Sequence, residues 1–179
     1  RRIVYALCDL AIKTGQVVEA VEYYKQFVQL SPNDNSKYIL LYKIYEAQDI
    51  SLEERIAVLK EYKKREYNEK WAYELAYLYH RVGLATKCVE ECDDLILWFS
   101  EGKYVYKAME LKMRYKPLTP LQQEKYDRRL EEAEKSSERE AEKLIDLGRI
   151  KAEEEEKRRR EQEEAARYTE DMLERSEQI

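Results

Sequence analysis

The stretch that decides the fold is residues 1–34, RRIVYALCDLAIKTGQVVEAVEYYKQFVQLSPND. It contains two apolar stripes at helical spacing, one on each side of Gly15. The stripes consist of Val4, Leu7, Cys8 and Ala11, and then of Val17, Ala20, Val21, Tyr24 and Val28. Gly15 suits the turn between two helices, and Pro32 ends the second helix. Because Cys8 and Ala20 are small, the two helices can approach closely, so the stretch predicts an antiparallel helical hairpin.

The same plan recurs farther along the chain. Gly83 follows Gly15 by 68 residues, which is twice a repeat of about 34 residues. Residues 69–100 carry the apolar stripe again, with Leu75, Ala76, Tyr79, Cys88 and Cys92. A period of this length predicts stacked hairpins that bury one continuous core.

These residues resemble the tetratricopeptide repeat. In residues 1–34 the resemblance rests on Leu7, Cys8, Gly15, Glu19, Ala20, Tyr23, Tyr24, Leu30, Pro32 and Asn33. Residues 69–100 resemble it more loosely. Residues 35–67 depart further, because Tyr42 stands where a small residue is usual and Arg55 where alanine is usual. The resemblance implies an all-α, TPR-like α-solenoid of antiparallel hairpins, in which the second hairpin sits at an altered angle.

The turn inside the second hairpin lacks glycine and is one residue longer than the turn at Gly15. Ser51 and Glu54 form a capping-box pattern, which supplies its own helix start. A fourth unit begins near Lys103, and the prolines at 117 and 120 interrupt it. We therefore expect a repeat domain of about three and a half hairpins over residues 1–118.

Residues 119–179 read as one long charged helix. Thr119 is a suitable N-cap with Gln122 three residues on, and no proline follows Pro120. Each residue from Glu153 to Glu156 is followed four positions later by a basic residue. Glutamate placed before a basic residue at this spacing stabilises a helix in water. The same composition also fits a disordered segment. Gly148 is the expected place for a bend or a break.

Apolar residues interrupt the charge of this predicted helix in two islands. They are Leu144, Ile145, Leu147 and Ile150, and then Ala165, Tyr168, Met172 and Ile179. Exposed apolar residues on a solvated helix usually mean that something covers them. Folding back on the repeats, self-association and a partner domain all remain open, so the segment is a spacer or a coiled-coil arm.

The resemblance also implies a site, because in tetratricopeptide repeats the first helix of each hairpin lines a concave groove. The outward positions there are Tyr5, Asp9, Lys13, Ile39, Lys43, Lys70, Tyr73, Tyr77, Arg81, Tyr104 and Lys107. Aromatic rings among Lys and Arg suit an extended peptide with carboxylates. We therefore expect a protein-interaction scaffold that binds a protein or peptide partner. The alternative function is an oligomerisation module, in which the long helix pairs with its copy.

Other classes of function find little support. The net charge of −5 disfavours binding to nucleic acid. No apolar run reaches the roughly 20 residues that span a membrane. No glycine-rich phosphate loop or nucleophile elbow is present, so we expect no enzyme and no cofactor. Cys8, Cys88 and Cys92 lack a metal-type spacing. We expect core thiols, no metal and a reducing compartment such as the cytoplasm.

Overall fold

The computed structural model describes residues 1–178, and Ile179 lies outside the described residues. Those residues form eight α-helices and no strand. The helices are α1 (Arg2–Lys13), α2 (Val17–Leu30), α3 (Ser36–Ala47), α4 (Leu52–Lys63), α5 (Glu69–Arg81), α6 (Ala85–Phe99), α7 (Lys103–Met113) and α8 (Pro120–Glu177). Successive helices pack as hairpins, and the hairpins stack. The predicted all-α repeat fold is confirmed.

Three hairpin turns have the same geometry. Gly15, Asp49 and Gly83 take left-handed φ angles of 77°, 53° and 81°, at a regular spacing of 34 residues. The amide after each of them bonds back to a carbonyl five residues earlier, at 2.8 to 2.9 Å. Asp49 thus replaces the glycine that the second turn lacks, since a short polar side chain tolerates this conformation better than most. The extra residue of that turn follows Asp49, and Ser51 caps α4 by accepting the Glu54 amide at 3.4 Å.

Small buried side chains bring the helices of the first and third hairpins together. Cys8 is fully buried, and its thiol donates to the Ala20 carbonyl at 3.3 Å. Ala76 and Cys88 are equally buried in the third hairpin. The first and third hairpins therefore share one packing plan, and the residues that carry the repeat in the sequence are the ones at these close contacts.

The second hairpin meets the third differently. Both α3 and α5 are fully described, and no α-carbon of one lies within 8 Å of an α-carbon of the other. They meet instead through Tyr42, which is 2% exposed and packs edge-on against Trp71 at 5.7 Å between ring centres. The Tyr42 hydroxyl donates to the Glu74 carboxylate at 2.6 Å. A large residue at a position that is small in the other hairpins thus fills the space between two separated helices.

The chain divides into two compact units, Arg1–Tyr126 and the residues from 127 onward. The start of α8 belongs to the first unit, because Gln122 bonds to Lys112 at 2.9 Å and to Asp93 at 3.2 Å. Thr119 and Gln122 bond each other's backbone amides at 3.3 and 3.2 Å, which is the predicted capping box.

In the second unit, every described residue is exposed and helical up to Glu177. The helix continues through Gly148, so the chain does not break there. Of the predicted pairs, Glu156 and Arg160 meet at 2.7 Å, whereas Arg159 turns to Glu163 at 3.9 Å.

Candidate functional site

The charged groove residues predicted on α1 and α3 pair with one another. Asp9 accepts from Lys43 at 2.8 Å and pairs with Lys13 at 2.9 Å. Partial burial acts to raise the pKa of Asp9, but the hydrogen bonds from Lys43 and Lys13 outweigh it and hold the pKa below its ordinary value. These three charges join two repeats, and both lysines are held against the Asp9 carboxylate rather than free for a ligand.

Two other predicted groove residues face the protein interior. Ile39 is 5% exposed and belongs to the hydrophobic core, so it leaves the candidate set. Tyr5 is half-buried, with its ring edge-on to buried Phe27 at 5.8 Å. The burial of Tyr5 and of Ile39 follows from the rotation of α1 and α3 about their axes, which turns these two side chains toward neighbouring helices.

The candidates of α5 and α7 come together as one surface. Tyr73 stacks with Tyr77 at 6.2 Å between ring centres and lies 6.0 Å from Tyr104 on the next repeat. The Lys107 ammonium lies 5.7 Å from the Tyr73 ring and 5.5 Å from the Tyr104 ring. We call these four residues the tyrosine surface. Both α5 and α7 supply it, because successive first helices pack side by side here.

The local sequence explains how α5 presents this surface. Asn68 caps the helix, accepting the amides of Lys70 at 3.0 Å and Trp71 at 3.4 Å. Leu75 and Ala76 are buried in the core, Tyr73 packs against the edge of the core, and Tyr77 lies one turn farther along the same face. Tyr77 is 38% exposed. Tyr73 is half-buried, and loss of water around its hydroxyl raises its pKa, so the phenol stays neutral.

Cations surround the tyrosine surface. Lys70 is exposed and lies 4.8 Å from the Trp71 ring, while Lys103 lies 5.3 Å from Tyr104. Arg81 is exposed at the far end of α5. Contacts of this kind hold a cation over an aromatic face while leaving part of its charge available to solvent or ligand.

Sequence reasoning missed a polar cluster beside Tyr77. His80 lies 5.8 Å from the Tyr77 ring, and its Nδ1 contacts the Tyr115 hydroxyl. Arg114 meets His80 Nε2 at 3.1 Å, and a guanidinium can only donate, so the proton of a neutral His80 ring sits on Nδ1. The partners are 34 and 35 residues from His80. That distance is one repeat period, the only sequence signal that could have suggested the contact.

The thiols behave as packing groups. Cys88 and Cys92 are fully buried, and the pKa of Cys92 is raised by its hydrogen bond to Cys88 and by burial. Burial also raises the pKa of Cys8 to about 11. Within residues 1–178, no group of three or more His, Cys, Asp or Glu residues is placed to hold a metal. In the same residues, no helix is long and apolar enough to cross a bilayer.

Comparison with known proteins adds a structural likeness. No protein-family model and no curated protein matches the chain. A crystal structure of nearly identical TPR-like repeats, from a kinesin light chain of Podosopora anserina, is similar at 19% sequence identity with a TM-score of 0.47. The alignment covers 63% of this chain and 63% of that one.

Proposed function

We propose that this chain is a protein-interaction scaffold whose tyrosine surface binds an extended, acidic segment of a partner protein. The observation that carries the proposal is the joining of three tyrosine rings and Lys107 across two adjacent repeats. Tyrosine supplies a large, rigid contact area at low entropic cost, and flanking cations orient carboxylates.

The distribution of charge favours the tyrosine surface over α1 and α3 as the place where an acidic ligand binds. Near Tyr73, the carboxylate of Glu74 keeps its charge, but its bond from the Tyr42 hydroxyl at 2.6 Å holds it toward α3. Lys107 and Arg81 are exposed, and within residues 1–178 neither has a carboxylate within 4 Å. In contrast, Asp9 already pairs with Lys13 and Lys43, so these cations are less available to an acidic ligand. An acidic peptide therefore gains most by lying across α5 and α7.

Peptide selection on the full chain tests the proposal. A random peptide library displayed on phage is selected against the wild type, and the binders are labelled for fluorescence anisotropy. We expect acidic sequences, and we expect both Lys107→Glu and Tyr77→Ala to weaken their binding by about tenfold or more. Both side chains are exposed, so the melting temperature should change little.

The matched control is Lys60→Glu, which makes the same charge change at an exposed lysine of α4. Selected peptides should bind this variant as they bind the wild type. Peptides without acidic residues, or equal affinity for the wild type and Lys107→Glu, would refute the proposal.

A further inference from the structure

Seven apolar residues of α8 share one heptad frame, although Ile145, Ile150 and Leu173 lie outside it and Ser137 and Glu140 occupy one of its heptads. Its first and fourth positions hold Leu130 and Ala133, Leu144 and Leu147, Ala165 and Tyr168, and then Met172. Such a seam is what a two-stranded coiled coil buries. The large side chains are uncovered in the structure, with Leu144 69%, Leu147 54% and Tyr168 67% exposed. The seam therefore lacks a partner within the described residues.

Charged residues occupy the same seam in the two central heptads. Lys151 and Arg158 stand at first positions, and Glu154 and Glu161 at fourth positions. In residues 1–178 none of these four side chains takes part in an ion pair. Their signs decide which partner arrangement the seam can accept.

A parallel, in-register pair would place each charge opposite itself. Lys151 would face Lys151 of a second copy, and Glu154 would face Glu154, at the least solvated positions of the interface. Like charges facing one another at such sites oppose association. The central heptads therefore argue against the parallel arrangement.

In an antiparallel pair, first positions face fourth positions. One register places Lys151 opposite Glu161 and Arg158 opposite Glu154, and the two-fold symmetry repeats both contacts. The same register sets Leu144 opposite Tyr168 and Leu147 opposite Ala165. A single alignment thus satisfies the charges and covers Leu144, Leu147, Ala165 and Tyr168 on both sides of them, while Met172 lies opposite Glu140.

We infer that α8 pairs with a second copy of this chain as an antiparallel coiled coil, with its two-fold axis near Glu156. Beside the seam, Lys143 of one copy faces Asp171 of the other. Close to the axis, Glu155 and Lys157 each approach their own copy, but these flanking positions remain in solvent, where salt screens them. The dimer is independent of the tyrosine surface, so either proposal can fail alone.

A charge-swap experiment on the full chain tests the register. K151E brings two carboxylates together twice in each antiparallel dimer, and should raise the dimer dissociation constant about tenfold or more. Adding E161K restores opposite charges and should return it to within about threefold of the wild type. In a parallel dimer, either change merely exchanges one like-charge pair for another. R149E is the control, since it makes the same charge change off the seam.

Sedimentation equilibrium supplies the dissociation constants, and cysteine cross-linking reads the orientation directly. L144C and Y168C chains should form a disulfide dimer when mixed but not separately, because identical positions would lie about 36 Å apart. A chain that stays monomeric at about 100 µM would overturn the inference, since dimer population follows protomer concentration. Two other results would also overturn the inference: a disulfide dimer of L144C alone, or a K151E/E161K double variant that dimerises no better than K151E.

Discussion

Replacing Tyr42 with alanine would give the second hairpin the small residue that the first and third hairpins have. If sequence resemblance alone governed packing, this change would be neutral, because Cys8 and Ala76 occupy the equivalent positions. The structure predicts the opposite, since Tyr42 is 2% exposed and fills the space between α3 and α5. Its ring packs against Trp71, and its hydroxyl donates to Glu74.

The size of the effect follows from these contacts. Deleting a buried aromatic ring costs about 3 to 5 kcal/mol, through lost burial and the cavity left behind. Tyr42→Phe keeps the ring and loses only the bond to the charged Glu74 carboxylate, which is worth about 1.5 to 3 kcal/mol. Tyr42→Ala should therefore remove a large share of a typical stability of about 5 to 15 kcal/mol.

Urea unfolding followed by circular dichroism measures both variants. Tyr77→Ala is the control, because the same truncation at a ring that is 38% exposed should cost about 1 kcal/mol or less. Repeat proteins can unfold in parts, so the transition is also followed by the fluorescence of Trp71 and Trp98. A loss below about 1 kcal/mol for Tyr42→Ala would mean that the two hairpins can close the gap, and the packing argument would fail.

Two further predictions concern buried and paired groups. The folded pKa of Asp9 lies below its ordinary 3.8, so its pairing stabilises the fold above that pH and is lost as the pH falls through the folded pKa. Asp9→Asn should therefore flatten the dependence of the urea midpoint on pH below about 4, and an unchanged pH profile would contradict the Lys13 and Lys43 pairing. Cys92→Ala should destabilise by roughly 1 to 3 kcal/mol without altering metal content, and stoichiometric zinc lost on substitution would show instead that the thiol is a ligand.

The sequence by itself determined the hairpins and most of their boundaries. Gly15, Gly83, Pro120 and the caps at Ser51 and Thr119 act within a few residues of themselves. Turn and capping chemistry is local, so it can be derived without knowing what packs where. The apolar stripes likewise predicted helices, because their spacing reflects one helix face.

Only the tertiary structure decided which predicted groove residues are available to a ligand. Asp9 meets Lys43 across 34 residues, Ile39 turns into the core, and Tyr73 meets Tyr104 from the next repeat. These outcomes depend on how far each helix rotates about its axis and how closely its neighbour approaches. A helical pattern defines a face only to within part of a turn, whereas contact at a few ångströms requires the packed arrangement of both helices.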